Sequence, residues 1–111
     1  MQRSFLFVLL IYIFNSSLLS AAIYKGHRVY VHECSKCHTD KQAFVKSKTI
    51  QEWSRLMANQ GKPLKEIHLK NDKAKASWSY FNAKKYTKKS KHLKEFLMEY
   101  AKDSGKVPAF N

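Results

Sequence analysis

Cys34-Ser35-Lys36-Cys37-His38 holds both cysteines of the 111-residue chain, three positions apart, with a histidine directly behind the second. On a helical turn, thiols at i and i+3 share one face. They can add to the two vinyl groups of a haem while the next residue directs an imidazole at its iron. The spacing therefore predicts one covalent haem c per chain, held by Cys34 and Cys37 with His38 as proximal iron ligand. Three other chemistries use these residue types. A thioredoxin-like dithiol wants a preceding strand and a βαβ pattern, and neither is visible. Zinc would take Cys34, Cys37 and His38 with His32 as fourth ligand, but structural zinc sites usually join two separated ligand pairs. A disulfide across two intervening residues would stabilise little.

Upstream, Gln2, Arg3 and Ser4 precede an apolar run from Phe5 to Phe14, which ends at Asn15, Ser16 and Ser17 and is followed by Ser20, Ala21 and Ala22. A short positive start, an apolar run and small residues are the order of a signal peptide. We expect residues 1–22 to be removed, the chain to be exported to the periplasm, and residues 23–111 to form a single domain. The alternative is a retained anchor, because Phe5 to Tyr24 carries no charge over twenty residues. Export is also the setting in which haem is attached to such motifs, so leader and motif support one another.

The chain has 21 Lys and Arg against 8 Asp and Glu, a formal charge of +13. Hydrophobic residues at 44% and aromatics at 14% exclude a disordered polycation, which could not offset its ordering entropy. Lys84, Lys85, Lys88, Lys89, Lys91 and Lys94 lie near Tyr80, Phe81 and Tyr86, a mixture that elsewhere suggests nucleic acid. An exported chain does not meet nucleic acid. The partners expected are an acidic redox protein or a membrane-bound redox complex, with peripheral contact to an anionic membrane surface. The plain alternative is a solvated face.

Two cysteines three positions apart give no disulfide framework, so a chain this small needs another staple, and haem supplies one. Helices are expected from Thr49 to Asn59, from Ala74 to Phe81, and at the end, opened by Ser90 and closed by Gly105 with Pro108 beyond. No strand alternation of useful length appears, and Asn-Gly and Asp-Gly turns are absent. The fold expected is all-α, its helices wrapped around the haem.

Gly26-x-x-x-Tyr30-x-x-x-Cys34-x-x-Cys37-His38 resembles the first helix of small bacterial monohaem c-type cytochromes of class I. Leu93, Phe96, Leu97 and Tyr100, on one face of the last helix, continue the likeness. The resemblance implies that the terminal helices cross, with Gly26 admitting the aromatics of the last helix and Tyr30 filling the space beside the haem. A tethered haem and a strongly charged face, with no convincing group for acid–base or nucleophilic work, point to an electron carrier rather than an enzyme. The middle of the chain departs from the class I pattern, because Lys70 to Leu97 contains no methionine where class I members carry their second iron ligand.

His68 is the first candidate for the distal ligand, in a loop-like stretch behind Gly61 and Pro63. His92 and Met57 are the alternatives, although Met57 has helical spacing from Ile50 and Trp53 and reads as core. Met98 is expected to face outward with Lys91, Lys94 and Lys102, and His27 and His32 are too close to the motif. A lysine ligand or an open position complete the choices. Trp53 and Trp78 are expected to pack in the core, either indole N–H being a candidate partner for a haem propionate. Electron transfer is the function expected. A haem-based gas-binding or sensor protein, and a haem subunit of a periplasmic oxidoreductase, are the alternatives.

Overall fold

Helix α1 covers residues 18–29 and then widens into a π turn over Tyr30–Cys34, closed by the Ser35 amide donating to the Tyr30 carbonyl at 3.0 Å. The computed structural model describes residues 18–108, so the apolar run Phe5 to Phe14 of the expected leader lies outside the described residues. Five further helices follow: α2 (Lys41–Val45), α3 (Ile50–Leu56), α4 (Ala58–Leu69), α5 (Trp78–Asn82) and α6 (Lys84–Glu99), with a 3-10 turn at Asp72–Ser77. The chain is all-helical, with no strand among the described residues. No described helix is long and apolar enough to cross a membrane.

Thr49 opens α3 by accepting the Glu52 amide at 3.1 Å, while the Asp103 carboxylate accepts the Ile50 amide at 2.8 Å. Two of the amides left unpaired at a helix start are thereby satisfied. Trp53 and Met57 turn inward from this segment and are buried.

The stretch that reads as a loop behind Gly61 and Pro63 is instead the body of α4. Its first turn is left-handed at Asn59 (φ 49°), Gln60 (φ 58°) and Gly61 (φ 76°). Such a conformation costs roughly 1–2 kcal/mol per residue that carries a Cβ. Opposing that cost, the buried Tyr86 hydroxyl donates to the Gly61 carbonyl at 2.6 Å, so close that a Cβ on Gly61 would run into it. Pro63 then falls in the first regular turn, where a missing amide leaves no bond unmade.

Helix α6 begins six residues before Ser90. Ala83, extended at φ −73° and ψ 141°, separates it from α5 without a side-chain cap. Ser90 is a buried mid-helix residue whose hydroxyl donates back to the Thr87 carbonyl at 3.2 Å. Tyr86, Leu93, Phe96 and Leu97 form the buried face. Met98, expected outside, is half-buried against the core.

Helices α1 and α6 meet at Gly26. A Cβ there would collide with the His92 carbonyl oxygen and lie 2.7 Å from the Phe96 Cβ. Only glycine permits this approach. Phe96 in turn packs between Tyr30 and Tyr100, at ring-centre distances of 5.3 and 5.2 Å. The Cys34–His38 segment, which follows α1, is thus anchored to the last helix.

Candidate haem site

The Cys34 carbonyl accepts the amides of Cys37 (3.3 Å) and His38 (2.9 Å), which curls the motif into one turn at the end of the π segment. Buried Tyr30 lies beneath it, its hydroxyl donating to the Lys41 carbonyl at 2.7 Å and so tying the turn to α2. From α2, Phe44 stacks on the His38 ring at 3.7 Å and 10°. Cys34, Cys37 and His38 line one cavity of about 360 Å³. Helix α4 adds Leu64, Ile67 and His68 to its walls, α5 adds Tyr80 and Phe81, and α6 adds Leu93 and Leu97.

His68 sits in the last turn of α4. Its Nδ1 lies 2.8 Å from the Leu64 carbonyl. A carbonyl can only accept, so Nδ1 carries a proton, and in the neutral ring Nε2 is left with the lone pair that a metal needs. The Trp78 indole donates to the His68 carbonyl at 2.8 Å, holding the end of the helix.

The rings of His38 and His68 lie 6.3 Å apart, centre to centre, at 80° to each other. An imidazole nitrogen binds a metal at roughly 2 Å and stands about 1 Å from its ring centre, so two imidazoles on opposite sides of one ion have centres about 6 Å apart. The His38–His68 pair has that centre-to-centre spacing.

The protonation of these groups agrees with such use. Burial, with His68 adding to it, holds His38 below the usual imidazole value, which keeps it neutral as a ligand must be. Burial pushes the Cys34 thiol up to about 12, with Glu33 and Cys37 contributing. A dithiol oxidoreductase needs the opposite, a thiolate stabilised at neutral pH.

Lys48, Asn71 and Lys73 bring polar groups to the cavity wall that would suit the two carboxylates of a haem, while the Ser77 hydroxyl donates to the Ala74 carbonyl at 2.7 Å. Neither tryptophan is free for that task. The Trp53 indole donates to the Val45 carbonyl at 2.9 Å, as the Trp78 indole does to His68, so the expected indole–propionate contact gives way to local backbone bonds.

The other histidine and methionine candidates stand away from the cavity, whereas Lys48 and Lys73 line it. Met57 is buried in the core between α3 and α4. His92 is half-buried at the α1–α6 crossing, where burial, and then Lys25, lowers its pKa. His32 is exposed on the π turn, and His27 stacks on Phe96 at 5.3 Å. None of these four, nor Met98, lines the cavity.

The lysine run does not border it either. Lys84, Lys85, Lys88, Lys89 and Lys91 are exposed on α6, which reaches the cavity through Leu93 and Leu97 instead. Phe44, Lys48 and Lys73 carried no signal in the sequence beyond their residue types. No protein-family model matches the chain, and comparison with curated proteins and with solved structures gives no match.

Proposed function

We propose that the chain is a periplasmic electron carrier with one c-type haem, thioether-bound through Cys34 and Cys37 and ligated by His38 and His68, around which the helices wrap. The observation that carries this reading is the second imidazole at 6.3 Å from His38, on the wall of the cavity that both cysteines share. The iron of such a group cycles between ferrous and ferric states. The chain's part would be to ligate the iron through His38 and His68, to exclude water with an apolar wall, and to leave the cavity mouth within reach of a partner. With two protein ligands, one would have to dissociate before a gas molecule could bind, so electron transfer is favoured over sensing.

The test is direct. Protein matured with haem-attachment machinery should keep its haem through denaturing electrophoresis and acid-acetone extraction. Its ferrous form should be low-spin and should not change on exposure to carbon monoxide. Release of all haem would refute attachment, and rapid carbon monoxide binding would promote the sensor.

The partner is an acidic redox protein or a membrane-bound redox complex, docking where the cavity opens. Cys37, Ile67, Asn71 and Lys73 are wall residues that are also exposed, Ile67 at 55%. An exposed apolar side chain beside a cation suits a small, salt-sensitive redox encounter. Lys73→Glu should slow oxidation by ferricyanide several-fold at low salt. Lys88→Glu should change it far less, and stopped-flow traces across a salt series would read the difference.

A further inference from the structure

Resting on the haem reading above, we propose that Phe44 and Phe81 are positioning residues that hold the two axial imidazoles in crossed planes. The rings of His38 and His68 stand at 80°. Each has its own aromatic support. Phe44 lies flat on His38, 3.7 Å away and within 10° of parallel. Phe44 is itself fixed by the edge of Trp53, at 5.7 Å and 75°, and the Trp53 indole is bonded to the Val45 carbonyl. Phe81 covers His68 at 4.4 Å and 31°, and is fixed against Tyr86 at 4.9 Å and 74°. Tyr86 is held by its bond to Gly61.

The two supports belong to different parts of the chain, so nothing brings the rings parallel. His68 has a second restraint. Its Nδ1–H points to the Leu64 carbonyl, which limits rotation about the bond that would realign the ring. Rings packed flat against rings resist turning because rotation forfeits their contact and drives edges into faces.

The orientation matters because an imidazole's filled π orbital raises the iron d orbital that it overlaps. Parallel planes raise one of a pair of d orbitals and split it from the other. Crossed planes raise both about equally. A ferric low-spin centre with nearly equal orbitals gives electron paramagnetic resonance dominated by a single low-field feature. Well-split orbitals give three resolved features.

The experiment is the frozen-solution spectrum of ferric wild type beside Phe44→Leu and Phe81→Leu. Wild type should show the single low-field feature. Each variant should stay low-spin in its visible spectrum while signal moves into a three-feature pattern, and Phe44→Tyr, which keeps the stacked ring, should match wild type. A three-feature wild type, or leucine variants that match wild type, would overturn the crossed-plane assignment and leave the haem reading standing. Wild type without low-spin haem would overturn both. A loss of stability alone leaves the resonance unchanged, so the readout separates ring positioning from general packing.

Discussion

Cys34→Ala/Cys37→Ala protein should emerge without covalent haem and largely unfolded. The thioethers account for the first effect, since no other cysteine is present to replace them. The second follows from the cavity. Without haem, a cavity of about 360 Å³ leaves apolar walls without partner atoms, and the whole stability of a small domain is only roughly 5–15 kcal/mol. The walls include Leu64, Phe81, Leu93 and Leu97, which are also core residues, so emptying the cavity loosens α4, α5 and α6 together. Far-ultraviolet circular dichroism through a thermal melt decides the matter. A cooperative melt near that of the haem protein would show that the helices pack without it.

Much of this architecture was legible in the sequence because it depends on residues close together. The motif uses five consecutive positions, the Thr49 cap reaches Glu52 three residues on, and Leu93, Phe96 and Leu97 repeat at helical spacing. What escaped depends on distant partners. Gly61 and Pro63 are loop residues by local rules, and α4 forms around them because Tyr86, 25 positions away, bonds the Gly61 carbonyl. The start of α6 was displaced for a related reason. Ala83 offers no capping side chain, and Ser90, the cap-like residue, is small enough to be buried in mid-helix. The tryptophans were assigned to the core, but their N–H partners are carbonyls 8 and 10 residues away that no periodicity marks. His68 was named for its supposed loop. It reaches the cavity from the end of a helix, which is a firmer support for an iron ligand.

Helical support makes His68→Ala the sharpest single substitution. Removing the imidazole should convert a low-spin haem to a high-spin one and let ferrous protein bind carbon monoxide, which wild type should refuse. Added imidazole, free to occupy the emptied space, should restore the low-spin spectrum. The substitution should leave attachment intact, because Cys34, Cys37 and His38 lie on the other segment. His92→Ala and Met57→Leu should keep the low-spin spectrum, since neither side chain lines the cavity.

His68→Met carries the argument to the potential. Thioether sulfur donates less electron density than imidazole and favours ferrous iron, and axial ligands with their surroundings tune haem potentials over about 0.8 V. Replacing one of two imidazoles should raise the midpoint potential by at least about a tenth of that span. The Leu64 carbonyl loses its Nδ1–H partner in the same variant and turns to water at the end of α4, a small loss beside the change at iron. Spectroelectrochemical titration of wild type and both His68 variants reads the shift. If the potential and the low-spin bands of His68→Ala match those of wild type, His68 is not the ligand, whatever its distance from His38.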